Sequence, residues 1–412
     1  MNAGATSPRP DGEARIELCV GCGGVGKTTI AAALALEAAR CGKRSLVLTI
    51  DPAHRLADAL GVRALGNQPQ AIPRQTLERL GVPPQGSLCA LMLDMKRTFD
   101  DLVERFAESE AARERILRNP IYQHVSEALS GSVEYSAMEK VYELAESEEF
   151  ERIVVDTPPS QHALDFLDAP QRLLEFLDSR LVHVLIHPAF AAGRFGLRLF
   201  HRGTHRVLHL IERISGIGFL EDISEFLLAF EGMAEGFRAR ADRVRQLLLG
   251  PDASFVLIAT PEWHSVRQAL EFLERLEALR APLAAVVANR VRVWPEDSRL
   301  PTGAIDRVDL DRLRDALAAQ EADGFPAEAA ARAALRAAEG YAALVRRDRA
   351  ALRDLRSRAV QAGWLWRVIP ELPEDVRDLE GLAQLGHFLS TDAARETPSE
   401  PDAQERGVAG PA

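Results

Sequence analysis

Residues 19–29 read CVGCGGVGKTT, and the spacing Gly21-x4-Gly26-Lys27-Thr28 is that of a phosphate-binding loop. Four glycines, Gly21, Gly23, Gly24 and Gly26, let backbone N–H groups curl around an anion, with Cys22 and Val25 between them. Lys27 is placed to reach the β- and γ-phosphates of ATP, and the Thr28 hydroxyl to ligate Mg2+. Thr29 completes the set expected to contact nucleotide. A chance glycine-rich turn is the competing explanation. It does not account for the whole pattern standing between an apolar strand and a helix.

Phosphate chemistry of this kind needs carboxylates at neighbouring strand ends, because ligands bind at the carboxyl edge of such a sheet. Two aspartates end apolar strands: Asp51 in LVLTIDPAH and Asp156 in RIVVDTPPSQH. One can serve the water shell of the metal, and the other can orient or deprotonate the attacking water. For either aspartate alone, a helix N-cap is the alternative. His54 and His162 stand in the same two segments and are read as structural hydrogen-bonders, outside the catalytic set. Cys19 and Cys22 have C-x-x-C spacing, which invites a metal or redox reading, but no second ligand pair accompanies them. A thiol beside a helix N-terminus can have a lowered pKa, so the redox alternative stays open.

The elements that must position these residues form a strand-then-helix grammar. RIELCVG is a buried strand, and the glycine loop leads into the helix KTTIAAALALEAARCG. RSLVLTID, SLCALMLD, FERIVVDTPP, SFVLIATPE, LAAVVANRV and WLWRVIPELPED supply further strands. KRTFDDLVERFAESEAARERIL reads as one helical stretch. Near-continuous apolar strands alternating with helices predict an α/β fold with a mostly parallel sheet covered on both faces. Residues 171–249 break the rhythm and read as a helical subdomain, with Phe219, Ile223, Phe226, Leu227, Phe230, Met233 and Phe237 at helical spacing. A second helical insert is expected over about 306–360. One domain over 14–390 is expected between polar ends, 1–13 and 391–412, whose composition suits disorder.

The 412 residues are 47% hydrophobic, ample for a packed core, and carry a net charge of −11, which argues against general nucleic-acid binding. All four cysteines fall in the first quarter and resemble no disulfide framework, so a reducing cytoplasm fits best. The N-terminus lacks the apolar core of a signal peptide, and no stretch is suited to cross a bilayer. Peripheral contact with a membrane stays open. The basic cluster Arg194, Arg198, Arg202 and Arg206 is read by default as a solvated helical face.

GCGGVGKTT, TIDPAHRLADALG, VVDTPPSQHALDFL, FVLIATPE, VVANR and VIPELPEDVRDLEGL occur in the order and spacing of the ArsA-like ATPases, which the chain resembles over about residues 15–390. That family includes the arsenite-pump ATPase subunit and the ATPase that delivers tail-anchored membrane proteins. The resemblance implies a P-loop fold and Mg2+-dependent ATP hydrolysis that drives switch segments to act on a partner or client. It implies that Asp51 sits in a first switch and positions the hydrolytic water, and that Asp156 opens the second. It implies an adenine contact from Asn289, an adenine-side loop after Pro370, and a homodimer. A hydrophobic helix or membrane protein would then meet the 171–249 helices.

Four departures bound those implications. The tail-anchor ATPase joins its dimer through zinc on a late C-x-x-C pair, and this chain has no cysteine after Cys89. Cys41 and Cys89 are isolated, so neither zinc nor arsenite binding has cysteine support. Met233 is the only methionine between residues 171 and 249, where a client groove would be methionine-rich. Finally, close relatives of the loop carry at position 22 a lysine whose charge reaches the phosphates of the opposite subunit. Cys22 cannot supply that cation, which implies slow basal hydrolysis, raised by Cys22→Lys, unless another basic residue substitutes. A nucleotide-dependent regulator or scaffold with very slow hydrolysis is the remaining alternative.

Overall fold

The computed structural model describes residues 14–50, 55–62, 65–107, 109–120, 122–123, 132–157, 239–240, 242–294, 309–320 and 326–390. Its centre is an eight-stranded sheet. The strands are β1 Ile16–Val20, β2 Arg44–Thr49, β3 Gln70–Ala71, β4 Ser87–Met92, β5 Arg152–Asp156, β6 Ala253–Ala259, β7 Leu283–Val291 and β8 Leu365–Pro370. Their order across the sheet is β3-β4-β2-β5-β1-β6-β7-β8. Every pairing is parallel except β3 with β4.

Central strands buried on both faces read as unbroken apolar runs, and β5 and β6 are buried at every residue. Alternate side chains feed two cores. Ile16, Leu18 and Val20 of β1 join one core with Phe255 and Leu257 of β6, whereas Cys19, Val256 and Ile258 belong to the other. The second core is closed by α1 Lys27–Arg40, whose Ala31, Ala32, Ala33 and Ala35 are fully buried, and by the helix Leu379–Leu389. Small side chains on α1 let the helix that begins at the phosphate loop lie close to the sheet.

Further helices are α2 Arg55–Leu60, α3 Arg74–Arg79, α4 Met95–Phe106, α5 Glu110–Arg118, α6 Ser132–Glu146, α7 Trp263–Leu279, α8 Leu310–Gln320 and α9 Ala327–Gln361, with Leu379–Leu389 as α10. The continuous helix expected over 96–117 is two helices. Ala107 is extended, and the Ser109 hydroxyl accepts from Ala112 N, so the chain restarts with a side-chain cap instead of running through. β3 has only two residues, too few for any periodicity to announce it.

Within the stretch 306–360, α8 and α9 form the connection from β7 to β8. The second half of α9 carries Leu352, Leu355 and Ala359 into the first core. Of the stretch 171–249, residues 239–240 and 242–249 are helical, with Val244 and Leu248 in that same core. The aromatic stripe from Phe219 to Phe237, the basic cluster and both chain ends lie outside the described residues. Among the described residues, no helix is long and apolar enough to cross a membrane.

Candidate nucleotide site

The chain leaves β1 at Val20 and turns at once at Gly21, whose φ is 155°. A Cβ there would lie 2.3 Å from the Ile258 carbonyl oxygen of β6, so only glycine lets the loop start this close to the neighbouring strand. At the far end Gly26 takes φ 93° and caps α1, and a Cβ on it would meet Asn289 Nδ2 at 2.5 Å. No side chain caps the N-terminus of α1. Its first N–H groups therefore face the loop's interior, which is the geometry that receives an anion. Gly23 and Gly24 form the exposed rim, Val25 is buried, and Thr29 is half-buried on the first turn of α1.

Lys27 opens α1, is buried, and its Nζ donates to Cys22 O at 3.0 Å. The ammonium is thus folded back over the loop that precedes it. Thr28 Oγ1 donates to Asp156 Oδ2 at 2.7 Å, and Thr49 Oγ1 donates to the same oxygen at 2.9 Å. Asp156 ends β5 level with Thr49, the end of β2, which is why the Thr49 hydroxyl reaches its carboxylate. Thr157 Oγ1 donates to Cys19 O at 2.8 Å and fixes the next residue against β1. A hydroxyl and a carboxylate in contact are hard oxygen donors, the set that suits Mg2+, which keeps part of its water shell. The donors present therefore fit the expected ion.

Asn289, near the end of β7, reaches across to the loop. Its Nδ2 donates to Val25 O at 2.7 Å, and its Oδ1 accepts from Arg290 N at 3.0 Å. One amide hydrogen remains for another acceptor. Pro370 ends β8 beside Val291, and Glu371 N donates to Val291 O at 2.9 Å. Arg292 bridges the fully buried Asp348 of α9 at 3.2 Å and Glu371 at 3.1 Å. The segment after Pro370 is in this way bolted to the same strand that carries Asn289. Thr49, Arg290 and the Arg292–Asp348 pair were not singled out by sequence reasoning. Only Thr49, two residues before Asp51, carried a usable signal there.

Cys19 is fully buried, and burial, followed by the charges of Glu17 and Asp156, pushes its thiol well above the usual range. A buried thiol held neutral is a poor nucleophile. Cys22 lies in the same apolar core as Cys19. Among the described residues, no group of three or more His, Cys, Asp or Glu side chains could hold a metal. Asp51, His54 and His162 lie outside the described residues.

The family model of the anion-transporting ATPases matches residues 14–305, well over half the chain and all of the phosphate-loop region. Similarity extends to eukaryotic relatives. The protein named ATPase get3 of Schizosaccharomyces japonicus is 26% identical over 68% of this chain and 75% of its own. An ATPase ASNA1 homolog of Dictyostelium discoideum is 23% identical over 67% of this chain and 71% of its own. An ATPase GET3 of Lachancea thermotolerans is 24% identical over 68% and 72%. The match over well over half of its length shows that the chain belongs to the anion-transporting ATPase family and is an ATPase.

Proposed function

We propose that the chain binds Mg2+ and ATP at the glycine loop, hydrolyses ATP slowly, and converts hydrolysis into movement of its switch segments against a partner. The observation that carries this reading is the contact of Thr28 Oγ1 and Thr49 Oγ1 with one Asp156 oxygen. It ties the loop to the points where both switch segments leave the sheet. The residue after Asp156 leads toward 158–238, and the chain after Thr49 leads through Asp51. A change at the Thr28 hydroxyl on nucleotide binding is felt at both departures, the arrangement a two-state switch needs.

In this reading the backbone amides of residues 23–29 hold the phosphates, and Lys27 adds a fixed positive charge. Thr28 and, through water, Asp156 would hold Mg2+, which neutralises charge on the phosphate oxygens when bound. Asp51 orients the attacking water and accepts its proton. Asn289 offers its remaining N–H to adenine, and the segment after Pro370 closes that side. The chemistry is chiefly positioning and charge stabilisation.

The relatives named ATPase get3 and ASNA1 homolog, with the family resemblance above, favour a homodimeric cytoplasmic protein acting on a membrane protein or hydrophobic helix through residues 171–249. Burial of Cys22 favours a second reading, in which hydrolysis is so slow that the protein serves as a nucleotide-dependent regulator or scaffold. The Mg2+ dependence of ATP hydrolysis in Thr28→Ala tests the site. We expect a loss of roughly tenfold or more in rate or in apparent Mg2+ affinity. An unchanged rate at every Mg2+ concentration would overturn the assignment.

A further inference from the structure

The residue that follows Asn289 is an arginine held in a conformation that favours glycine. Arg290 has φ 57°, the left-handed region, which a residue with a Cβ adopts against a steric penalty and keeps only where its surroundings enforce it. The enforcing contact is visible: Arg290 N donates to Asn289 Oδ1 at 3.0 Å, while the other end of that amide is fastened to Val25 O. The bend turns the side chain back toward the phosphate loop, and Arg290 Nη1 donates to Gly24 O at 3.4 Å. Arg290 is exposed, and so are Gly23 and Gly24 beneath it.

Packing does not require that contact. A long, solvent-exposed bond from a guanidinium to a neutral carbonyl is weak. A phosphate oxygen offers the same fork a shorter, charge-assisted and bidentate partner, about twice as strong. The strained backbone therefore holds an exposed cation at the rim of a loop whose interior already carries Lys27. We propose that Arg290 is a nucleotide-contacting catalytic residue: on ATP binding its guanidinium leaves the Gly24 carbonyl for a phosphate oxygen and stabilises the charge that develops during hydrolysis. The proposal rests on the ATP site described above and adds to it a second cation.

Three variants test it, with Lys27→Ala as the reference for the site. Arg290→Gln removes the charge, Arg290→Lys keeps it without the fork, and Arg290→Gly removes it while relieving the strained φ. Steady-state ATPase kinetics, ATP binding and urea unfolding are measured on each full-length protein. We expect kcat of Arg290→Gln and Arg290→Gly to fall about tenfold or more, with Arg290→Lys recovering part of the loss. The urea midpoint of Arg290→Gly should equal or exceed that of wild type. If kcat and KM of Arg290→Gln and Arg290→Gly stay within about twofold of wild type while Lys27→Ala loses ATP binding, Arg290 has no such role and the site stands. Loss of activity in proportion to a lowered urea midpoint, without rescue by lysine, would make Arg290 structural and overturn the proposal. ATP binding by Lys27→Ala equal to wild type would remove the site itself and this inference with it.

Discussion

Replacing Asn289 by alanine separates two jobs that one side chain can hold. As an adenine contact alone, Asn289 would matter only to ligands that carry a base. In the structure one N–H of its Nδ2 is engaged by Val25 O at 2.7 Å and its Oδ1 by Arg290 N at 3.0 Å, in a residue 8% exposed. Each such bond contributes about 0.5–1.5 kcal/mol net, and a buried carbonyl left without its donor costs about 1–3 kcal/mol. Val25 is 2% exposed, so water reaches its carbonyl poorly, whereas Arg290 N stands at an exposed residue. The loss should therefore total about 2–3 kcal/mol, most of it from the Val25 side. If that free energy holds the loop in its anion-receiving shape, its loss lowers phosphate affinity roughly 30- to 140-fold, since about 1.4 kcal/mol is tenfold. Calorimetric titration of Asn289→Ala with Mg-ATP and with Mg-tripolyphosphate, which has no base, measures both jobs. Weakened binding of both ligands is expected. Tripolyphosphate binding equal to wild type would refute the idea that Asn289 pins the loop.

Two further outcomes follow from burial. In the native protein a thiol reagent should modify the exposed Cys41 first and leave Cys19 untouched until unfolding, because Cys19 is fully buried and its thiol is held neutral. Rapid native labelling at Cys19, located by peptide mass spectrometry, would contradict that. Arg240, on the helical stretch that re-enters the described fold, makes a buried 2.7 Å ion pair with Glu139 of α6 and reaches Glu146 at 3.1 Å. Glu139→Ala removes the buried partner, leaves Arg240 only the half-exposed Glu146, and should cost about 3 kcal/mol, the low end for a broken buried pair, in urea unfolding. A cost below about 1 kcal/mol would show that the pair is solvated in solution.

Much of the fold was legible because buried parallel strands announce themselves as short apolar runs, and seven of the eight strands did so. The two-residue β3 did not, since it is too short to carry a pattern. The break between α4 and α5 was written in Ser109, a good N-cap, but glutamates and alanines on both sides masked it. The strand–glycine turn–helix of residues 16–40 was legible because turn residues and helix starts are local signals. Contacts across the sheet were not. Nothing in the sequence says that Thr49 shares an oxygen of Asp156 with Thr28, or that Arg290 bends back over Gly24. Those facts depend on strand register, in which residues more than 100 positions apart come level. The position of Cys22 was readable as an oddity, and its burial in the apolar core came only from packing.

Single-turnover ATP hydrolysis by wild type and Asp51→Asn, with ATP binding measured on both, tests the proposed mechanism most directly. Asn keeps the size of Asp51 and removes its ability to take a proton from water. We expect ATP binding to be retained and the rate of the chemical step to fall about 100-fold or more, the contribution of a positioned general base. Equal single-turnover rates for the two proteins would contradict hydrolysis by this site as described.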